Sequence, residues 1–334
     1  MTNTAPLRTA PDFANELWLA LPKGGRTLGG SDETFLAAAG FQTVDKIERI
    51  DDYRLVDGPE FADVGVRAIE MKPQMALALL SKGQLNAAVV GRDVLKEFNN
   101  SRRGKKGVQA VEIVDLDMTP CALTIAVSEG DSAQGAADMQ GRVIVTKYPR
   151  LVENWARANG VQFGEIVSQI TDDADISGGI EGYRLFDPRV NAIADMVESG
   201  ESLVRYGWKP LGISDADWAP VRADVLNSVP KAQRRKFTDM PMETIRALPG
   251  TVMASSAVLV RSADRLTPAK EAAFKTLAGR FFDAARALGR TPTMKQTRVD
   301  KQFGKRPKPT AAATPEGTRS GEIGHSAAFR HVIG

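Results

Sequence analysis

The chain has 334 residues, of which 43% are hydrophobic and 25% charged, a composition typical of a globular protein with room for two domains. Its single cysteine, Cys121, excludes an intrachain disulfide and a multi-cysteine metal site. Both histidines, His325 and His331, lie in the last ten residues, which excludes Ser-His-Asp or Cys-His catalysis and a His-ligated zinc site from the body of the protein.

The net charge of +3 is unevenly distributed. Residues 291–334 carry a net charge of +5, so the rest of the chain is slightly acidic and is not a nucleic-acid-binding surface by charge. No apolar run approaches the roughly 20 residues that a membrane span requires. The first fifteen residues lack the basic and apolar regions of a secretory signal, so we expect a cytoplasmic protein without a membrane partner.

From Glu16 onward, short apolar runs alternate with helical patterns, after a loose arm over residues 1–14. The predicted strands are Leu17–Leu21, Val66–Met71 and Ala87–Val90, and the predicted helices are Asp32–Ala39, Gln74–Ser81 and Val94–Asn99. This alternation predicts an α/β domain with a mainly parallel sheet.

A second α/β domain is predicted to follow the strand Leu123–Val127. Its strands are Val143–Val145, Glu165–Ile170 and Ala192–Val197, with a helix at Leu151–Asn159. The chain is then expected to return to the first domain through the strand Thr251–Val260 and the helix Pro268–Ala287. The segment 214–249, rich in Asp, Pro, Lys and Arg, is predicted to be a partly helical insertion. The basic tail 291–334 is predicted to be extended or disordered.

The most informative stretch is Asn191–Leu203, in which an apolar run carrying Asp195 stops at Glu198-Ser199-Gly200. A strand that ends in a Ser/Gly turn presents backbone N–H groups and hydroxyls, which together form a phosphate cradle if a helix starts there. An acid on the strand can reach a ribose hydroxyl or a metal-bound diphosphate. A phosphoribosyl donor requires this combination, and the alternative is an ordinary strand-to-helix turn.

Three further segments appear in a fixed order before this one: Ala20-Leu21-Pro22-Lys23-Gly24-Gly25-Arg26, Gly91-Arg92-Asp93-Val94-Leu95 and Thr146-Lys147-Tyr148-Pro149. With the first stretch they resemble ATP phosphoribosyltransferase, the family that opens histidine biosynthesis. The family patterns are A-L-P-K-G-R, G-x-D-x-L, T-K-Y-P and D-x-V-x-[ST]-G-x-[ST]-L. The resemblance covers roughly residues 16–290.

This resemblance implies an α/β fold of the two-domain periplasmic-binding-protein-like (type II) class, with the active-site cleft between the domains. Domain I would comprise 15–122 plus 204–290, including the insertion 214–249, and domain II would comprise 123–203. The implied reaction moves phosphoribose from phosphoribosyl pyrophosphate to N1 of ATP and releases diphosphate. Mg²⁺ would arrive on the diphosphate rather than on protein ligands. The implied assembly is a homo-oligomer, with room for a regulatory partner subunit.

The resemblance also implies roles for individual residues. The donor 5′-phosphate loop would be Glu198, Ser199, Gly200, Glu201 and Ser202. Asp195, which faces the ribose hydroxyls, and Lys23 would be catalytic. The residues that would contact the diphosphate or the nucleotide are Gly24, Arg26, Arg92, Asp93, Lys147, Tyr148 and Glu181. Without the family context, these side chains would be assigned to solvated turns, to a helix cap at Asp93 and to exposed surface.

Three positions that are acidic in the family are neutral here: Met75, Asn86 and Asn191. The phosphate-binding elements are retained, so donor recognition is better supported than acceptor recognition. Two alternatives therefore stay open: a diverged enzyme that uses the same donor with another nitrogen heterocycle, and a non-catalytic nucleotide-binding or regulatory subunit. The tail 291–334 has too few apolar residues to build the regulatory domain of the family's long form.

Overall fold

The computed structural model describes residues 15–22, 28, 32–47, 50–55, 61, 63–101, 109–168, 180–185, 187–263 and 266–295. The expected N-terminal arm 1–14, the residues Lys23, Gly24 and Arg26, and most of the basic tail lie outside these ranges. Among the described helices, none combines the length and the apolar character that a bilayer crossing needs.

The described elements alternate between strands and helices. The strands are β1 (Glu16–Pro22), β2 (Phe41–Ile47), β3 (Ile50–Leu55), β4 (Gly65–Met71), β5 (Ala87–Gly91), β6 (Ala110–Asp115), β7 (Cys121–Ser128), β8 (Val143–Thr146), β9 (Glu165–Ser168), β10 (Val190–Val197), β11 (Trp208–Pro210), β12 (Thr251–Ser255), β13 (Ala257–Ser262) and β14 (Thr293–Met294). The α-helices are α1 (Asp32–Ala38), α2 (Pro73–Leu80), α3 (Arg92–Asn100), α4 (Pro149–Ala158), α5 (Glu201–Arg205), α6 (Asp215–Leu226), α7 (Met242–Ala247) and α8 (Pro268–Ala287). The predicted helices are present close to their expected bounds.

Eight of the described strands form the first sheet, in the order β14-β6-β13-β5-β1-β4-β3-β2. Its centre is parallel, since β1 pairs with both β4 and β5. Burial on both faces explains the continuous apolar sequence of β1, in which Leu17–Leu21 are all buried. On one face α8 packs against α1, with the rings of Phe35 and Phe281 stacked 5.2 Å apart. On the other face, α2 contributes Leu77 and Leu80 to the core.

The second sheet has the order β11-β7-β10-β8-β9, with β12 also paired to β7. Strands β8, β9 and β10 are parallel, while β7 runs antiparallel to β10. The core on one face includes α4, through Val152 and Trp155. The chain thus has two sheets, each packed against helices through its own hydrophobic cores, which confirms the α/β fold class predicted from the sequence.

The insertion 214–249 is partly helical, as predicted, and it packs on the second sheet. Its apolar side chains Trp218, Phe237 and Ile245 are buried in one core with Val197 and Leu203. The sequence-based boundaries assigned 204–290 to domain I. The structure instead groups residues 208–255 with the second sheet. Strands β11 and β12 pair with β7 of that sheet, and the apolar side chains of the insertion pack in its core.

The chain crosses between the two sheets twice, at neighbouring places. One crossing joins β6 to β7, and the other is Ser256, between β12 and β13. The prediction of one continuous strand over Thr251–Val260 is therefore wrong: β12 pairs with β7 in the second sheet, and β13 pairs with β5 and β6 in the first. The Ser256 hydroxyl donates to Asp115 at 2.6 Å, which ties this change of sheet to the first crossing.

Candidate active site

The predicted site residues follow the carboxyl ends of parallel strands. In the second sheet, Lys147 and Tyr148 follow β8, and Glu198 follows β10, which is parallel to β8. In the first sheet, Arg92 and Asp93 follow β5. Carboxyl ends of parallel strands share one edge of a sheet, and ligands of open α/β sheets bind at such edges.

The turn after β10 has a geometry that only glycine accommodates well. Gly200 has φ +80°, in the left-handed region, and it precedes the first residue of α5. A Cβ at this position would lie 3.0 Å from the ring of Trp218. Ser199 Oγ accepts the backbone N–H of Glu201 at 3.2 Å. The Ser/Gly turn predicted from the sequence is therefore a tight turn that packs against Trp218 of the insertion. Ser202 lies in the first turn of α5.

Both glutamates of this turn form ion pairs. Glu198 lies 3.0 Å from Lys236 Nζ. Glu201 lies 2.7 Å from Arg205 and 2.9 Å from Arg234. The hydrogen bond from Arg205 and, more weakly, that from Arg234 keep the pKa of Glu201 below its ordinary value, although partial burial opposes this.

Asp195 lies two residues before the end of β10, opposite Thr124 of β7. Its Oδ1 accepts the backbone N–H of Met196 at 2.8 Å. The strand position therefore fixes the carboxylate near the carboxyl end of the second sheet, close to the turn.

A buried polar cluster joins the two sheets at Asp93, which is only 5% exposed. The Ser255 hydroxyl donates to Asp93 Oδ1 at 2.7 Å and accepts the Asp93 backbone N–H at 3.1 Å. The phenol of Tyr148 also donates to Asp93. Asp93 follows β5 of the first sheet, whereas Ser255 and Tyr148 both belong to the second, so this carboxylate of one sheet is held by side chains of the other.

Carboxylate charges act on the side chains of this cluster. Burial, and then the charge of Asp93, raise the pKa of Tyr148 well above its ordinary value, and the charge of Asp195 adds to this effect. Burial raises the pKa of Cys121 to about 12, helped by the charges of Asp93 and Glu198. Asp93, Tyr148, Asp195 and Glu198, all predicted from the sequence, are therefore brought into one neighbourhood.

The other predicted residues have different surroundings. Although burial opposes it, hydrogen bonds to Glu112 and Asp115 hold the pKa of Arg92 above its ordinary value, so its guanidinium is engaged by carboxylates of β6. Lys147 is exposed. Glu181 lies in the 3-10 helix Ile180–Leu185, and its side chain lies outside the described residues, as do Lys23, Gly24 and Arg26.

Two of the neutral replacements hold backbone groups. The side-chain oxygen of Asn86 accepts the N–H of Trp18 at 2.8 Å, and that of Asn191 accepts the N–H of Val143 at 3.1 Å. Both therefore contribute to strand alignment. Met75 is a largely exposed side chain on α2.

Four side chains near the site were not identified as site residues from the sequence. Ser255 is an unremarkable serine in the sequence, and Arg234 and Lys236 belong to a basic run without a family counterpart. Glu97 of α3 accepts the N–H groups of Arg150 at 3.0 Å and Leu151 at 2.9 Å, at the start of α4. Only the basic run carried a signal in the sequence, because it makes the insertion rich in Lys and Arg.

Within the part of the chain that the structure describes, no group of three or more His, Cys, Asp or Glu side chains could hold a metal ion.

Two kinds of comparison bear on the family. Residues 72–213 match the sequence model of the family described as HisG, ATP phosphoribosyltransferase. The match includes three of the four motifs: those at Gly91, at Thr146 and at Asp195.

Among solved structures, a chain of the ATP phosphoribosyl transferase (HisG:HisZ) complex from Thermotoga maritima is similar at a TM-score of 0.51 and 14% identity, with 81% of this chain and 98% of that chain covered. The periplasmic aliphatic sulphonate binding protein SsuA from Escherichia coli aligns at a TM-score of 0.43 and 13% identity, over 82% of this chain and 75% of that chain. At 14% identity the first likeness shows a common fold. The resemblance indicated by the motifs is thus confirmed over residues 72–213, where the chain is similar to the ATP phosphoribosyltransferase family.

Proposed function

We propose that this protein transfers phosphoribose from phosphoribosyl pyrophosphate to a nitrogen heterocycle, with N1 of ATP as the first candidate, and releases diphosphate. The observation that supports this best is the placement of two carboxylates, Asp93 and Asp195, around Tyr148 and near the turn at Gly200. A phosphate-binding turn next to two carboxylates suits a phosphorylated sugar that develops positive charge at C1′.

The reaction proceeds through an oxocarbenium-like state at C1′ of the ribose. In our proposal, the backbone N–H groups and hydroxyls of the turn 198–202 hold the 5′-phosphate. Asp195 orients the ribose hydroxyls, and the fixed charges of Asp195 and Asp93 stabilise the developing cation. The donor is then held with C1′ towards the acceptor nitrogen, which reduces the entropic cost of the reaction.

The leaving diphosphate needs positive charge. Mg²⁺ belongs to the substrate in this proposal, because it reaches the site bound to the diphosphate and neutralises it. Lys23 and Arg26, with Gly24 and Lys147, are proposed to contact the diphosphate or the nucleotide. Arg92 is proposed to act by anchoring the start of α3 through its pairs with β6, and Glu181 to contact the nucleotide.

The acceptor contacts are proposed for Tyr148 and Asp93. The Tyr148 phenol is protonated at neutral pH, as a phenol of ordinary pKa already is, and burial together with the charge of Asp93 raises its pKa further. With Met75, Asn86 and Asn191 in place of acids, another nitrogen heterocycle remains the second candidate acceptor.

A cellular location and an oligomeric assembly are also proposed. We place it in the cytoplasm, where ATP is available, and propose a homo-oligomer. The Thermotoga maritima chain was solved in a complex that names two components, HisG and HisZ. A regulatory partner subunit is therefore proposed for this chain as well.

A panel of acceptors tests the proposal. The protein is incubated with phosphoribosyl pyrophosphate, Mg²⁺ and either ATP, another purine nucleotide or a free nitrogen heterocycle, and the phosphoribosylated product is identified by mass spectrometry. A product with ATP supports the first candidate, and a product with another heterocycle supports the second. Donor binding without any product would favour the non-catalytic subunit.

A further inference from the structure

The turn 198–202 carries two carboxylates at positions that the family pattern leaves unspecified, Glu198 and Glu201. A carboxylate close to a bound phosphate is unfavourable, because two negative charges at short distance repel each other strongly when they are partly shielded from water. The turn therefore requires compensation if it is to hold an anion.

Arg205 of α5 pairs with Glu201, and a single short segment of the insertion adds one cation to each of the two carboxylates. Arg234 lies 2.9 Å from Glu201, and Lys236 lies 3.0 Å from Glu198. The Arg234 side chain is only 12% exposed, and its Nε donates to the Val229 carbonyl. Its guanidinium is thus fixed in position, whereas the Lys236 pair is half-exposed and more strongly screened by water.

The same segment also holds the backbone of the turn. The N–H of Phe237 donates to the Ser199 carbonyl at 3.1 Å, and the N–H and hydroxyl of Thr238 both donate to the Glu198 carbonyl at 3.1 Å. Phe237 is fully buried in the core below the turn. Charge compensation and backbone support therefore come from one element.

We propose that Arg234, assisted by Lys236, is a positioning residue of the insertion that makes the turn 198–202 competent to bind an anionic donor. Arg234 holds the Glu201 side chain from the insertion and, together with Arg205 of α5, compensates its charge. The inference rests on the proposed function, since the anion in question is the phosphorylated donor. It assigns to the insertion a part in donor affinity that the family resemblance does not provide.

The test is isothermal titration of phosphoribosyl pyrophosphate with Mg²⁺ into full-length variants. Arg234→Gln removes the charge but keeps a long polar side chain, so we expect donor affinity to fall at least tenfold. Arg235→Gln is the matched control. Its guanidinium lies on the neighbouring residue, is 60% exposed and pairs with Asp224 at 3.0 Å, and we expect a change of less than about twofold.

The double variant Arg234→Gln with Glu201→Gln separates charge compensation from a merely structural role. We expect it to recover donor affinity to within about threefold of wild type, because the carboxylate that Arg205 alone would be left to compensate is gone. Arg234→Lys should recover part of the affinity. Thermal unfolding by circular dichroism checks that each variant is folded, and Lys236→Ala with Glu198→Gln repeats the test at the second pair if Arg234→Gln does not fold.

The outcomes distinguish the inference from the proposed function. Equal affinities of Arg234→Gln and Arg235→Gln, or a double variant as weak as Arg234→Gln, would overturn the inference while the proposed function stands. Failure of the wild-type protein to bind the donor would overturn the proposed function and the inference together.

Discussion

At the scale of single residues, the site depends on a few positions where backbone geometry or burial leaves little choice. Gly200 combines a positive φ with close contact to Trp218, and Asp93 receives hydrogen bonds from Ser255 and Tyr148. Each of these features can be tested without knowing the substrate.

Gly200→Ala should destabilise the protein for two reasons. A left-handed backbone costs a non-glycine residue about 1–2 kcal/mol, and the new methyl group must also displace the Trp218 ring. Gly207→Ala is the control, because Gly207 has φ +68° and open space at its Cβ position. Urea unfolding should show a larger loss for Gly200→Ala, and equal losses would mean that the Trp218 contact is unimportant.

Cys121 should be unreactive in the folded protein. Burial and the nearby charges of Asp93 and Glu198 raise the pKa of its thiol from 9.0 to about 12, which lowers the thiolate fraction at pH 8 by about a thousandfold. Alkylation by iodoacetamide, followed by mass spectrometry, should be far slower in buffer than in concentrated urea. Similar rates in both conditions would show that the thiol is neither buried nor near these charges.

At the scale of elements, the two sheets are joined by side chains from neighbouring helices as well as by the crossings. Glu97 of α3 accepts two N–H groups at the start of α4, where unpaired backbone donors favour a negative charge. Burial nevertheless raises the pKa of Glu97 above its ordinary value of 4.5, although these hydrogen bonds and Arg150 act in the opposite direction.

This raised pKa predicts a pH dependence. The folded state binds the Glu97 proton more tightly than the unfolded state, so the stability from protonation is fully present below about pH 4.5 and is lost as pH rises through the folded pKa. Wild type should therefore gain stability relative to Glu97→Gln as pH falls. Urea unfolding across a pH series measures the difference, with Glu153→Gln as the control for removing a carboxylate near the same helix. A relative loss on acidification would contradict the assignment.

Sequence patterns predicted elements better than they predicted pairings. Apolar runs located β1, β5, β7 and β10, because buried strands need continuous apolar residues. The run 251–260 is also mostly apolar, with Ser255 and Ser256 at its middle, but periodicity cannot show that two strands of one run pair in different sheets. The interaction of Arg234 with Glu201 joins residues 33 positions apart in the chain, so only the packed structure could show it.

At the scale of the whole molecule, the chain has a two-sheet α/β fold, and residues 72–213 of it match the family model. The motifs indicated the donor side of the site, and the structure brings Asp93, Tyr148 and Asp195 together where the sheets meet. The proposed contacts to the diphosphate and the nucleotide include Lys23, Arg26 and Glu181, whose side chains lie outside the described residues. The insertion, unlike the motifs, could not be assigned a role by resemblance.

Phosphoribosyl transfer is tested most directly by measuring the release of diphosphate from phosphoribosyl pyrophosphate with Mg²⁺, in the presence and in the absence of ATP. We expect release that depends on an acceptor, and a collapse of turnover in Asp195→Asn with little change in stability, because the two side chains are nearly isosteric. Release that is absent with every acceptor, or wild-type turnover in Asp195→Asn, would contradict the account.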